Sequence, residues 1–508
     1  MANYFVTYDF ADQLSGIEHA QLKRMSALRG KTSSPSKIVS LAYNRFLSRS
    51  LDKNDINTEE FINMYDFLQD ISAEKFEEYD YQVSANQIVS GSETILNKNK
   101  VMWTVGYDNV TTKKIYLMDN PTFDLQINYV EFFDKSGSKI KTDYYDVRGF
   151  KSMSDIYGQR GGVAREINFN LAGQPVLESV YKREPNGMIN ATQWFVSDNH
   201  GKVKHSFSRK NELEGYFFDL LNESTEEENV FISDRAFKTD HGLFSMQTTR
   251  KMYVYWHNVF VPNGEDPLMT KPFDTLLDEL KYSEKIDGLI AATSAEVEDL
   301  KRVVKGQIPV FKVNVALIDT DTQKFNKFSQ RNKYEIITVA RLSEEKRLDL
   351  GIEIFKDVVK KLPQATWHIY GYNQNGNRQK LEQQIARLGL QSNIVIHPYQ
   401  KDLSSAYKNA QLFWMLSLYE GFNMSQLEAM SYGVPVIAFD ITYGPAELIE
   451  QAKNGYLIKN NDSRNFAKQT VELLKNQFSL EKLGKASQLR ASYYNKDEMA
   501  QQWLKLLN

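Results

Sequence analysis

The chain has 508 residues, 42% of them apolar and 25% charged, with a formal charge of −3. At roughly 150 residues per domain this makes about three domains with ordinary cores, which excludes disorder, collagen and coiled coil. The near-neutral balance points to no nucleic-acid partner, the absence of cysteine removes disulfides, zinc ribbons and thiolate catalysis, and no run of about 18 apolar residues spans a membrane.

The start, MANYFVTYDFADQ, carries acids inside its apolar run and lacks a basic leader. It reads as a first strand rather than a signal peptide, and the cytoplasm is the expected compartment. The strand Tyr4 to Tyr8 and the helix after Ser15-Gly16 make a first βα unit. Between about 80 and 210 the rhythm changes to short alternating runs: Val101 to Tyr107, Lys114 to Met118, Leu125 to Phe133 and Thr142 to Val147. Turns at Lys135-Ser136-Gly137 and Ala172-Gly173-Gln174 punctuate this region, which predicts an antiparallel meander of hairpins. Strands at Val230 to Ser233, Met252 to Trp256, Gly288 to Thr293 and Val310 to Val315 resume the alternation with helices. After a polar linker at Thr322 to Lys333, strands are expected at Tyr334 to Val339, Thr366 to Tyr370, Ile394 to His397, Leu412 to Leu416 and Val434 to Phe439. Helices such as Leu348 to Leu362 and Asn377 to Leu388 lie between them, and Lys496 to Leu507 is a final helix. The expected class is α/β, with two Rossmann-like domains facing a cleft and the meander inserted in the first. The boundaries are 1–80 with 211–325, an insertion over 81–210, a second domain over 326–495, and a C-terminal helix at 496–508 packing back.

Charge is segregated near the N-terminus. Lys23, Arg24, Arg29, Lys31, Lys37, Arg45 and Arg49 meet no acid between His19 and Leu51, whereas Asp52 to Asp80 is strongly acidic. Either two solvated faces neutralise each other, or the basic run is a patch for a polyanionic acceptor or an anionic membrane surface.

The stretch from Ser417 to Asp440 is the most informative. An apolar strand ends at about Leu418, a Glu-Gly turn follows, and a helix is expected from about Phe422. The amides of Phe422, Asn423, Met424 and Ser425 at its start suit a phosphate. Glu420 stands in the loop, Glu428 two turns into the helix, and Gly433-Val434-Pro435 ends it. Two glutamates eight apart are ordinarily solvated helix charge; the apolar strand before and the Gly-Val-Pro exit after set this pair apart. His257 follows the run Met252 to Trp256, at a strand end of the kind where α/β folds bind ligands. Asp319-Thr320-Asp321 has the form of a metal triplet but reads as chance, and there is neither a Walker loop nor a G-x-G-x-x-G after a strand, so no metal is expected.

Glu420-x7-Glu428, followed by Ala429-Met430 and Gly433-x-Pro435-Val436-Ile437, resembles the signature of family-4 retaining glycosyltransferases of the GT-B fold. Ala340-Arg341-Leu342-x3-Lys346-Arg347, Ile369-Tyr370-Gly371 and Asn454-Gly455-Tyr456-Leu457-Ile458 match further parts of that pattern in order. Over nearly the whole chain, Ser15-Gly16-Ile17-Glu18-His19-Ala20-Gln21, the meander and Trp256-His257-Asn258 are similar to a Gram-positive subgroup with an inserted β-sheet. That subgroup comprises accessory-Sec serine-rich-protein, serine–aspartate-repeat and wall teichoic acid glycosyltransferases.

The resemblance implies a metal-independent transfer from a UDP-sugar, UDP-GlcNAc or UDP-glucose, with no other cofactor. Arg341 and Lys346 would neutralise the diphosphate, Glu428 would accept the ribose hydroxyls, and Glu420 and His257 would face the transferred sugar. Gly16 either lets the backbone approach phosphate or acceptor or makes a plain strand–helix turn, the 422–425 amides would add dipoles, the loop from Gly371 would lie near the nucleotide, and Tyr370 and Tyr399 would wall a uracil pocket. The preferred acceptor is the Ser/Thr hydroxyls of a serine-rich surface protein, with wall teichoic acid as the alternative. A non-catalytic acceptor-binding subunit is the second alternative. A homologous partner subunit or a second copy, and a peripheral hold on the inner membrane surface, accompany these readings.

Overall fold

A computed structural model describes the chain apart from residues 73–74, 79–80, 199, 225–227, 319–327 and 508. The Asp319-Thr320-Asp321 triplet, the first part of the expected linker and the expected boundary at 325/326 lie outside the described residues. Two compact units form, Met1–Glu18 with Ser34–Met252, and His19–Ser33 with Tyr253–Asn508.

In the first unit, strands Val230–Ser233, Asn3–Thr7, Ser36–Ser40 and Phe61–Asn63 run parallel in that order. Asn3–Thr7 is buried along its length, as a central parallel strand must be. The five-residue SKIVS and three-residue FIN are strands the sequence pattern missed, because they are too short for a period to register.

The same unit carries ten antiparallel strands paired in chain order, from Thr94–Lys98 to Val203–Phe207. Four of the hairpins share one device. The carbonyls of Asp134, Asn170, Glu184 and Asp198 accept from Gly137, Gly173, Gly187 and Gly201 at 2.9–3.0 Å. Each glycine has a φ between 74° and 87°. A bond closing on a left-handed glycine three residues on gives the tight reversal, and a β-carbon there would be strained. Trp103, Val105, Ile115, Ile127, Val130 and Tyr145 build the sheet's own core.

In the second unit, strands Lys251–Trp256, Gly288–Ala291 and Val310–Lys312 pair in parallel. A six-stranded parallel sheet follows, ordered Ile394–His397, Thr366–Tyr370, Glu335–Val339, Leu412–Met415, Val436–Asp440 and Gly455–Lys459. Helix Leu348–Lys361 presents Leu348, Ile352, Phe355 and Val358 to it at helical spacing, against Trp367 and Trp414, whose rings lie 5.1 Å apart. The final helix, Lys496–Leu507, buries Trp503 under the Arg24 guanidinium at 4.2 Å, and Arg24 also lies over Tyr255 at 5.3 Å.

Five of the seven cations of the basic run are engaged within the protein. Arg24 is buried, Arg45 donates to the carbonyls of Asn128 and Tyr145, and Lys23, Lys31 and Arg49 are paired with Glu428, Asp497 and Asp12. Among the described residues, no helix is long and apolar enough to cross a membrane.

Candidate active site

From Glu335–Val339 the chain steps outward through Thr366–Tyr370 to Ile394–His397, then returns to the other side with Leu412–Met415. Where connections leave neighbouring strands in opposite directions, a crevice opens at their carboxyl ends. Residues 340–346 and 416–425 occupy those ends.

The first loop is pressed onto its neighbour. Ala340 N donates to Tyr370 O and Leu342 N to Tyr372 O, both at 3.0 Å. A β-carbon on Gly371 would stand 1.9 Å from Ala340 O, so only glycine admits this approach. Arg341 projects between them, giving one guanidinium nitrogen to Glu345 at 2.9 Å and the other to Gln374 at 3.2 Å. Burial raises the Glu345 carboxyl, but the Ser343 hydroxyl, its own backbone amide and the cations Arg341 and Lys346 more than offset this and leave it below its ordinary value.

The second loop carries Glu420. Lys346 Nζ lies 2.6 Å from Glu420 Oε1, and Ser417 Oγ and Asn423 Nδ2 donate to the same oxygen at 2.6 and 3.0 Å. Among the described residues no donor reaches Oε2. Lys346 and Glu420 are only 13% and 12% exposed, so the pair interacts in a weakly screened setting. The loop backbone is fixed too: Glu420 N donates to Thr442 O at 3.0 Å and Tyr443 N to Glu420 O at 2.7 Å. A β-carbon on Gly421 would meet His257 O at 2.3 Å, which brings the His257 backbone within one residue of Glu420. The His257 ring stacks on Tyr255, 4.2 Å between centroids.

The helix expected from Phe422 begins at Met424 and runs to Ser431. Asn423 is left-handed, with φ 74°, and its side chain caps Gln426 N at 2.9 Å. The first bond along the helix is Leu427 N to Asn423 O, so the Met424 and Ser425 amides lie ahead of the ladder. Phe422 is a packing residue, buried against Tyr494, and Ser425 Oγ donates to Val339 O at 2.8 Å. At the other end Val434 N reaches Ala429 O and Gly433 N reaches Met430 O, closing the helix at a left-handed glycine.

Glu428 receives Lys23 Nζ on Oε1 and the Tyr407 hydroxyl on Oε2, each at 3.3 Å. Tyr370 stacks on His397 at 4.2 Å, and Tyr399 is exposed with its ring 6.4 Å from Tyr372. Gly16, in the first unit, begins helix Gly16–Leu28, whose residues from His19 on belong to the second unit; beside it the Glu18 carboxylate takes Ser15 N and the Arg235 guanidinium. Thus Lys346, Glu420, Asn423 and the His257 backbone come together and Arg341 is turned onto Glu345. Lys23, Tyr407, Ser417 and Glu345 were missed by sequence reading. Among the described residues no group of three or more His, Asp or Glu could hold a metal ion.

Residues 319–490 match the family of glycosyl transferases group 1. The chain is 22% identical over 521 residues to the poly(glycerol-phosphate) alpha-glucosyltransferase of Bacillus subtilis (strain 168), covering 100% of this chain and 75% of that protein. It is 24% identical over 514 residues to the UDP-N-acetylglucosamine–peptide N-acetylglucosaminyltransferase GtfA subunit of Streptococcus parasanguinis, covering 96% and 95%. A crystal structure of an S. aureus TarM mutant in complex with fondaparinux, alpha-GlcNAc-glycerol and UDP superposes with a TM-score of 0.83 at 19% identity, covering 100% of both chains. The fold is therefore GT-B, with the antiparallel sheet inserted toward the N-terminus, and the resemblance read from the sequence holds.

Proposed function

We propose that this chain, which carries a group 1 glycosyl transferase domain over residues 319–490, is a retaining, metal-independent hexosyltransferase. It moves GlcNAc or glucose from a UDP-sugar to Ser/Thr hydroxyls of a serine-rich surface protein. The observation that carries this is the convergence of Lys346, Glu420 and the Met424 helix start on the carboxyl ends of adjacent strands. A nucleotide-diphosphate gains negative charge as its bond to the sugar breaks. A preorganised ammonium, a guanidinium and helix-start amides lower that barrier without a metal. Lys346 and Arg341 supply the cations and the Met424 and Ser425 amides the dipoles. Glu420, its Oε1 saturated by three donors, offers Oε2 to a hydroxyl of the transferred sugar. Glu428 takes the ribose hydroxyls, and His257 stands beside the donor sugar.

The peptide acceptor is supported by the Streptococcus parasanguinis relative, which matches along nearly the full length of both chains. That relative is a subunit by name, and assembly with a homologous partner is part of this reading. A second reading, wall teichoic acid as acceptor, is supported by the Bacillus subtilis relative, which spans this whole chain, and by the TarM fold. The retained Glu420, Glu428, Arg341, Lys346 and His257 argue against a purely acceptor-binding subunit. UDP release, followed with UDP-GlcNAc and UDP-glucose in EDTA, tests the assignment. Release stimulated by a serine-rich peptide is expected, and release that requires added divalent metal would overturn the metal-independent mechanism.

A further inference from the structure

Glu428 is held from both sides by residues on two other elements. Lys23, on helix Gly16–Leu28, donates to Oε1, and Tyr407, on helix Ser404–Asn409, donates to Oε2, each at 3.3 Å. We propose that Lys23 and Tyr407 are positioning residues that aim the Glu428 carboxylate at a pair of vicinal hydroxyls, so that this site selects a ribonucleotide over its deoxy analogue. The inference rests on the reading of Glu428 as the ribose acceptor.

A carboxylate oxygen has two lone-pair directions, about four for the group. With one donor from the protein on each oxygen, one direction per oxygen remains for the ligand, which is the demand of two neighbouring hydroxyls. A clamp on a single oxygen would leave the group able to rotate. Both clamping groups are themselves fixed. Tyr407 is buried and its ring lies nearly parallel to Tyr432, 5.5 Å between centroids. Burial, then the charge of Glu428, pushes its phenol well above the ordinary value, so it remains a proton donor. Lys23 precedes Arg24, whose guanidinium is seated between Trp503 and Tyr255, and this anchor holds the helix turn from which Lys23 extends.

The test is calorimetric titration of UDP and 2′,3′-dideoxy-UDP into the wild-type chain and into Lys23→Met, Tyr407→Phe and Glu428→Gln. The wild type is expected to prefer UDP by about tenfold or more, the range for hydrogen bonds to a charged group. Lys23→Met and Tyr407→Phe should each shrink that preference at least threefold while the affinity for 2′,3′-dideoxy-UDP, which has neither hydroxyl, stays unchanged, which also certifies the fold. Glu428→Gln should shrink it furthest. If Glu428→Gln leaves the preference intact, the ribose role of Glu428 fails and the inference with it. If Glu428→Gln abolishes the preference but Lys23→Met and Tyr407→Phe retain it in full, the inference alone fails. Equal weakening of both nucleotides in Lys23→Met would place Lys23 on the phosphates and overturn its positioning role.

Discussion

Lys346 and Glu420, 74 positions apart in the chain, meet at 2.6 Å between Nζ and Oε1. The contact joins the loop after Glu335–Val339 to the loop after Leu412–Met415, the two strands that flank the crevice. A cation held against a carboxylate in this way is preorganised, and a charged donor can engage it with little rearrangement.

Replacing Lys346 with Ala should lower turnover about 10²-fold or more, the usual cost of losing one preorganised electrostatic group. The fold should persist, because Ser417 and Asn423 still donate to Glu420 Oε1. Arg341→Ala should fall in the same range. Steady-state kinetics beside a thermal melt would check both, and unchanged kinetics in either variant would remove that residue from the mechanism.

Gly421→Ala tests the close approach of Glu420's neighbour to His257. The new methyl would press on a backbone carbonyl at 2.3 Å, so the chain itself must move. A destabilisation of about 1–3 kcal/mol, the cost of overpacking, should come with a fall in transfer activity larger than any change in UDP affinity. Urea unfolding and UDP calorimetry on the same variant separate the two effects.

Glu214 makes stability depend on pH. Burial raises its carboxyl from 4.5 to about 7, with the nearby Lys210 ammonium working against the rise. The folded state therefore holds a proton that the unfolded state has released, and stability falls as pH climbs from about 4.5 through 7. The loss across that window should be on the order of 3 kcal/mol. Glu214→Gln should flatten the decline, as read from melting temperatures between pH 5 and 8. A wild-type stability that rises over this window would contradict the assignment.

Trp503→Ala should cost about 3–5 kcal/mol, as for other fully buried aromatic truncations, and should also free the Arg24 guanidinium from its seat. Tyr255, which shares Arg24 and stacks on His257, links this loss to the site, so the variant should lose activity before it unfolds. Activity and circular dichroism followed over the same temperature range would resolve the order.

What could be read from the sequence follows how local each signal is. Strands such as Thr366–Tyr370 and Ile394–His397, and the final helix, carry their own apolar period and were placed to the residue. Glu420 and Glu428 stood out because a strand, a helix and a glycine exit surround them within one contiguous stretch. Lys23 did not, since its partner Glu428 is 405 positions away and no periodicity links them. The fate of Arg24 in the basic run was hidden for the same reason: whether it is solvated or sealed between Tyr255 and Trp503 is decided by packing over long sequence distance. The helix start slipped from Phe422 to Met424 because Phe422 is needed in the core and Asn423 supplies the cap.

The central claim is transfer of a hexose from a UDP-sugar, and a radiolabelled assay tests it most directly. UDP-glucose and UDP-GlcNAc would each be offered with a serine-rich peptide and with purified wall teichoic acid. Label on the peptide from one of the two donors is the predicted result, and label on the polymer alone would move the acceptor to the second reading. No label on either acceptor from either donor, with UDP binding intact, would contradict the account.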